Sequence, residues 1–260
     1  METKFTQRKS IQIESFINQI KREIPSVDEI IDLTWEKLKF TKDFVRKNFG
    51  KAILKFDEEA TKEFKKYEQE AIKKLAELYI GSNQSEIREK LKDLIEKKEE
   101  EFISKLAEIF YEFSFWVQQL EKDLGNMRKA RGGKTFEKVI AKLLNFIDVK
   151  CEMPRGKLKE KLKRIDIVIP SEELALKKPD KAIFITCKRT LRERWKQEVP
   201  SAGPNQRIYL ITIDEELSES KAKEINQMGL IVFVRDEIKL KFKSSPWVRK
   251  LSDLPKEVKL

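Results

Sequence analysis

Histidine is absent from all 260 residues of the sequence. Its absence excludes Ser-His-Asp and Cys-His hydrolases, nucleases that bind their metal through imidazole, and every zinc site that needs a histidine ligand. The two cysteines, Cys151 and Cys187, form neither a disulfide framework nor the spacing of a zinc site. An enzyme of this composition would work with carboxylates and lysines, with or without a hard metal ion bound through oxygen.

The sequence also lacks an apolar run of membrane-spanning length and a signal-peptide pattern, which predicts a cytoplasmic protein without a membrane partner. Positive charge is in excess, with 56 Lys and Arg against 45 Asp and Glu. The net charge of +11 and the pI near 9.4 favour a polyanionic partner, with nucleic acid ahead of an acidic membrane surface. The 39% charged content is also typical of proteins from thermophiles.

Proline and glycine are rare in the first half of the chain, and no proline lies between Pro25 and Pro154. Apolar residues in this stretch recur every three or four positions, as they do from Phe56 to Leu78. This spacing is typical of long amphipathic helices. We therefore predict an all-helical N-terminal domain over residues 1–124.

The character of the chain changes at the glycine-containing, basic stretch that begins at Gly125. Helices are predicted from about Thr135 to Phe146 and over residues 217–228. Four apolar runs are typical of buried strands: 164–170, 181–188, 207–214 and 229–234. This order of elements predicts a three-layer α/β domain with a mixed sheet over residues 125–260.

Asp166 stands in the middle of the predicted strand Ile-Asp-Ile-Val-Ile, where a carboxylate is costly unless it is paired or binds a metal. Lys188 ends the next predicted strand, and an adjacent strand would bring the two side chains together. A carboxylate and a lysine beside a basic surface are what metal-dependent phosphodiester cleavage needs. A buried ion pair of Asp166 with Lys188 or Arg164 is the open structural alternative.

Thr186-Cys187-Lys188 is followed four residues later by Arg192-Glu193-Arg194, and Gly-Lys-x-Phe-Glu occupies residues 133–137. With these motifs, residues 128–238 resemble the PD-(D/E)XK nucleases, and within them the type II restriction endonucleases of the branch that includes EcoRII and NgoMIV. The resemblance implies a nuclease core that cuts double-stranded DNA at a palindromic site with a CC/GG core. It assigns the reading of that core to Arg192, Glu193 and Arg194, since arginine forks onto guanine and glutamate can accept from cytosine.

The resemblance further implies Mg²⁺ as cofactor and a homodimer on the two-fold symmetric DNA site. It also implies a cognate DNA methyltransferase, which acts on the same DNA site and need not bind this chain. The N-terminal helices would then dimerise, clasp DNA or do both. The implied catalytic residues are Asp166, Lys188, Glu198 and Glu137, and the implied metal ligands are Asp166, Glu198 and the backbone carbonyl of Cys187. Candidate contacts to the DNA backbone are Arg155, Lys157, Lys159, Arg131 and Lys134.

The sequence departs from the family pattern in two ways. Ile165 replaces the proline before Asp166, and Ser201 and Ala202 stand where a metal-binding glutamate is expected. The nearest acid is Glu198. Either Glu198 or Glu137 substitutes for the glutamate, or the site is weakened or inactive. Two alternative functions stay open. One is a structure-selective repair nuclease of the same fold, in which Arg192-Glu193-Arg194 would contact only phosphates. The other is a DNA-binding protein that has lost cleavage.

Overall fold

The structure is a computed structural model that describes residues 2–95, 99–192, 195–203 and 205–259. Its first part is helical, as predicted. The helices are α1 (Glu2–Glu23), α2 (Val27–Leu38), α3 (Lys42–Lys47), α4 (Phe49–Ser82), α5 (Gln84–Ile95) and α6 (Glu99–Phe146). None of the described helices is both long and apolar enough to cross a membrane.

Local capping determines where the short helices begin. Ser26 and Glu29 form a capping box at the start of α2, in which the Ser26 amide donates to Glu29 Oε2 at 2.7 Å and the Glu29 amide to Ser26 Oγ at 3.3 Å. The Thr41 hydroxyl accepts from the Phe44 amide at 3.2 Å and starts α3 in the same way.

The second part alternates strands and short helices. The strands are β1 (Ile167–Ile169), β2 (Ile183–Lys188), β3 (Arg207–Thr212), β4 (Ile231–Val234) and β5 (Val248–Lys250). The helices are α7 (Gly156–Lys161), α8 (Glu172–Lys177), α9 (Glu219–Gln227), α10 (Asp236–Lys239) and α11 (Leu254–Glu257). The strands lie in the order β1-β2-β3-β4-β5, with β1 antiparallel to β2 and the other neighbours parallel. The predicted mixed sheet is confirmed. The sequence does not predict β5, because its three residues include Arg249 and Lys250 and carry no strand pattern.

The chain forms two compact units, Met1–Ile30 with Thr61–Ala130 and Ile31–Ala60 with Arg131–Leu260. We call the second the sheet unit. The predicted boundary between residues 124 and 125 falls inside α6, which runs on through its glycines because each costs a helix only about 1 kcal/mol. As a division into domains, that boundary stays a prediction.

Residues 31–60 belong to the sheet unit because their side chains pack on the end of α6. The Trp35 ring lies edge-on to Phe146 with centroids 4.7 Å apart, and Lys142 Nζ contacts Asp32 Oδ1 at 2.6 Å. The core of the unit also includes both faces of the sheet. On one face it contains, among others, Val168, Phe184, Leu191, Trp195, Leu210, Ile225 and Val232.

Candidate active site

The antiparallel pairing of β1 with β2 places the predicted catalytic residues. Ile167 lies opposite Ile185, and the Asp166 amide donates to the Ile185 carbonyl at 2.9 Å. Asp166 therefore lies beside the end of β2, where alternating side chains put Thr186 and Lys188 on one face. Asp166 immediately precedes β1 and is not in the middle of a strand, since the chain enters β1 through a turn in which Arg164 has a φ of 68°.

Asp166 is bound by the strand beside it. Its Oδ2 accepts from the Cys187 amide at 2.7 Å, and the Thr186 hydroxyl lies at 3.5 Å. Burial raises the pKa of this carboxyl, and the Cys187 amide and the charges of Lys188 and Lys159 partly oppose the rise. The backbone bond fixes one carboxylate oxygen against β2, so the orientation of the group is set before any ligand arrives.

Glu137 on α6 is the second carboxylate of the site. Burial, and then the negative charge of Asp166, raise its pKa to about 7, while Lys159, Lys188 and Lys134 oppose the rise. The charges of Lys159 on α7 and Lys188 on β2 act on both Asp166 and Glu137, so the structure brings together the predicted residues Asp166, Glu137 and Lys188. A pKa near neutrality makes the charge of Glu137 sensitive to any added positive charge.

Lys188 pairs with Glu198 and not directly with Asp166. Its Nζ donates to Glu198 Oε2 at 2.9 Å, and the Glu198 side chain is 60% exposed. Glu198 ends the 3-10 turn Trp195–Glu198, after which Val199 is buried. Within the described part of the chain, no three acidic or cysteine side chains gather as a metal-binding group, so Glu198 does not join Asp166 and Glu137.

Neither Ser201 nor Ala202, the positions where the glutamate is expected, supplies a carboxylate. Ser201 is exposed, and the Ala202 amide donates to the Met228 carbonyl at 2.9 Å. Cys187 is buried, and burial raises the pKa of its thiol well above its ordinary value, so the thiol is not a nucleophile. The contact of the Cys187 carbonyl with a metal stays a prediction.

The pair of Asp166 and Glu137 suits a divalent cation. Burial, and then repulsion by Asp166, raise the pKa of Glu137, and a bound cation would offset both effects. Mg²⁺ in proteins is often bound by one or two carboxylates, with water and substrate phosphate completing the shell. The donor set present is the minimum for such an ion.

The predicted DNA contacts differ in exposure. Arg192, Arg155, Lys159 and Lys134 are exposed, whereas Arg131 is buried. Glu193, Arg194 and the side chain of Lys157 lie outside the described residues. Trp195 is only 4% exposed and packs in the core.

Two acids that the sequence did not mark as site residues approach the segment after Lys188. Asp57 on α4 pairs with Arg189, and Asp214 after β3 accepts from the Leu191 amide. A buried acid within the apolar stripe of a helix, as at Asp57, is a sequence signal for a partner. The sequence does not show which residue that partner is, because the partner lies far away in the chain.

A family model described as EcoRII C terminal matches residues 91–252. The chain belongs to the EcoRII C-terminal family. The type II restriction enzyme SsoII of Shigella sonnei is 23% identical over 222 residues, which cover 82% of this chain and 68% of SsoII. Family and relative identify the chain as a type II restriction endonuclease, a site-specific deoxyribonuclease.

Two solved structures share the fold of this member of the EcoRII C-terminal family. Metal-depleted Ecl18kI in complex with uncleaved DNA matches with a TM-score of 0.74 and 20% identity, over 95% of this chain and 82% of that one. The restriction endonuclease PspGI in a substrate DNA complex matches with a TM-score of 0.65 and 21% identity, over 92% of this chain and 93% of that one. The predicted restriction-endonuclease fold with a helical N-terminal region is confirmed.

The raised pKa of Glu137 predicts how stability depends on pH. The folded state holds this proton more tightly than the unfolded state, so the contribution to stability is full below the ordinary pKa of 4.5 and is lost as pH rises through about 7. We expect the free energy of unfolding of the metal-free protein to fall over this pH range, and Glu137→Gln to remove much of this dependence on pH. Urea unfolding at several pH values measures the slope of the free energy of unfolding against pH.

The control for this experiment is Glu160→Gln, which removes an exposed carboxylate from α7. It should keep the parental slope. Since the pKa of Asp166 is raised too, some slope should persist in Glu137→Gln. Equal slopes in the parent and in Glu137→Gln would contradict the assignment.

Proposed function

We propose that this chain hydrolyses double-stranded DNA at a palindromic site with a CC/GG core, as a cytoplasmic homodimer that uses Mg²⁺. The convergence of Asp166, Glu137 and Lys188 beside the end of β2 carries the proposal, because it joins two desolvated carboxylates to an ammonium group. The exposed Arg192 follows on the same segment of chain. Chemistry and base reading are therefore a few residues apart.

Each group at this edge has a distinct role in the proposed reaction. Asp166 and Glu137 would hold the metal ion, which when bound activates water and stabilises the leaving oxygen. The Lys188 ammonium offsets the negative charge that develops on the phosphate in the transition state. Glu198 orients Lys188 in the protein without DNA, and it is the remaining candidate for a further metal ligand.

Sequence reading is assigned to Arg192, Glu193 and Arg194. The arginines would fork onto guanine O6 and N7, and the glutamate would accept from cytosine N4 in the major groove. The DNA complexes of the structural neighbours Ecl18kI and PspGI support a duplex substrate. The basic side chains near the site would contact phosphates: Arg155, Lys157, Lys159, Lys134 and, if its buried guanidinium is released, Arg131.

The proposed dimer follows from the symmetry of the site. A palindromic duplex presents the same bases to two chains related by a two-fold axis, so two copies are needed to cut both strands. A methyltransferase that modifies the same sequence would protect the host DNA without contacting this chain.

A second candidate is the same enzyme with weakened cleavage. The observation that favours it is the absence of a carboxylate at Ser201 and Ala202, while Glu198 is bound to Lys188. Two carboxylates hold a hard cation less firmly than three, so occupancy at millimolar Mg²⁺ would be low. We favour this weakened form.

Digestion of unmethylated plasmid DNA with Mg²⁺ tests the proposed function. We expect discrete fragments with CC/GG at every end, cut slowly. Asp166→Ala should abolish cleavage and keep specific binding without metal, because it removes a proposed metal ligand and leaves Arg192 in place. Asp180→Ala is the matched control and should cut like the parent, because it removes an exposed acid just before the start of β2, at the opposite end of the strand from Lys188.

Other digestion results would contradict the proposal. Cleavage only at forks or junctions would favour the repair nuclease, and binding without any cleavage would favour the DNA-binding protein. Parental activity in Asp166→Ala would remove Asp166 from the site.

The role of Glu198 can be separated from the absence of a glutamate at residue 201. Ser201→Glu should raise the Mg²⁺-dependent cleavage rate by roughly tenfold or more, because it adds an anionic ligand. Glu198→Gln should leave a measurable rate. Single-turnover cleavage under identical Mg²⁺ compares the variants, with Ser244→Glu as a control that adds the same charge at an exposed position.

Two results would change the assignment of the further acid. Complete loss of cleavage in Glu198→Gln would make Glu198 a metal ligand. An unchanged rate in both Glu198→Gln and Ser201→Glu would leave Glu137 as the sufficient second acid.

Base reading predicts different binding losses at two arginines. Arg192→Ala should weaken binding to the CC/GG site by about 1–3 kcal/mol and leave binding to random DNA nearly unchanged, because one bidentate base contact is lost. Arg155→Ala should weaken both and lower the salt dependence by about one charge. Metal-free titrations at several salt concentrations measure both effects. Equal losses on the two DNAs for Arg192→Ala would rule out its contact with a base.

A further inference from the structure

The backbone between Lys188 and the proposed base-reading residues is held in place by side chains from the loop after β3 and from α9. We propose that Asp214 and Lys221 are positioning residues that set where Arg192 meets the DNA. The inference rests on the proposed function, since it concerns how that same site reads its sequence. It adds two residues outside the proposed base-reading and catalytic sets.

Leu191, the residue before Arg192, has both polar atoms of its backbone bound by charged side chains. Its amide donates to Asp214 Oδ2 at 2.6 Å, and Lys221 Nζ donates to its carbonyl at 2.6 Å. Hydrogen bonds with one ionised partner are shorter and about twice as strong as neutral ones. The Leu191 side chain is 1% exposed, so side chain and backbone are both fixed.

Asp214 is itself held rigidly at the end of β3. Its amide donates to Thr212 Oγ1 at 3.1 Å, and its Oδ1 accepts from the Glu216 amide at 3.3 Å. The Thr212 hydroxyl also lies 3.5 Å from the Arg189 carbonyl. The segment after β2 is therefore tied to the end of the neighbouring parallel strand.

Helix α9 holds the segment on both sides of the proposed reading residues. Lys221 binds Leu191 before them, and Glu224 pairs with Lys196 after them at 3.0 Å. Ala222 and Ile225 of α9 share a core cluster with Leu191 and Trp195, and Ser218 caps the first turn of the helix. A rigid helix can thus fix a segment that has no regular structure at Leu191.

Arg192 is the exposed residue within this framework. Its carbonyl accepts from the amide of the buried Trp195 at 3.0 Å, and its side chain is exposed. A bidentate base contact needs a side chain held close to its productive geometry, and support from surrounding residues provides that accuracy. Without the bonds to Leu191, binding would have to order the segment, which lowers affinity for the correct site.

The test compares two lysines on one helix. Lys221→Met removes the bond to the Leu191 carbonyl, and Lys223→Met removes the same charge from an exposed position two residues away. The preferred sequence of the parent is found by selection from random duplexes. Discrimination is then the ratio of the Kd for random DNA to the Kd for that sequence, measured without metal.

We expect Lys221→Met to reduce discrimination about tenfold, comparable to the loss of one base contact, and Lys223→Met to leave it unchanged. Both should weaken binding to random DNA by similar small factors, since each removes one positive charge. Lys221→Arg keeps a donor and should restore most of the discrimination. Asp214→Asn keeps the shape and an acceptor, so it should lose less than Asp214→Ala.

Two results would overturn the inference, and they differ in what else they overturn. If the parent is selective and Lys221→Met discriminates as well as Lys223→Met, Lys221 has no positioning role, even if the Tm of Lys221→Met falls. The proposed reading by Arg192 then still stands. A parent with no preferred sequence overturns the proposed reading and the inference together. Circular dichroism confirms folding, and Asp214→Asn supplies the comparison if Lys221→Met is unfolded.

Discussion

The partial burial of two neighbouring carboxylates, Asp166 and Glu137, is the constraint on which the candidate site depends. Each is desolvated, and the charge of Asp166 helps to raise the pKa of Glu137 to about 7. The Cys187 amide and the nearby ammonium groups reduce this cost without removing it. A folded protein that keeps such a pair carries an unmet demand for positive charge, which a hard divalent cation and a lysine beside a phosphate can meet.

The helix α6 makes this arrangement possible. It carries Glu137 to the part of the sheet where Asp166, just before β1, lies beside the end of β2 with Lys188. Packing of Trp35 against Phe146 joins residues 31–60 to the end of the same helix. The glycines within α6 lower its intrinsic helix propensity, and tertiary packing of this kind outweighs that loss.

The residues proposed for cutting and those proposed for base reading are adjacent in the sequence but are supported by different elements. Asp166 and Glu137 belong to the β1 side of β2, whereas the segment after Lys188 is held by Asp57, Asp214 and Lys221. A change in the proposed metal ligands would therefore leave the support of Arg192 in place. The absence of a carboxylate at Ser201 is compatible, for the same reason, with an intact framework around the proposed reading residues.

The sequence by itself determined the helical first part and the mixed sheet, because apolar spacing changes from helical to strand-like along the chain. It also excluded histidine-dependent chemistry and marked Asp166 and Lys188 as neighbours, which the structure places just before β1 and at the end of β2. It also marked Glu137, through a motif. Only the tertiary structure decided that Glu198 forms an ion pair with Lys188. It also decided that Trp195 is buried and that residues 31–60 belong to the sheet unit. These outcomes depend on contacts between residues far apart in the chain, such as Asp57 with Arg189, and no local pattern records which distant partner a buried charge will find.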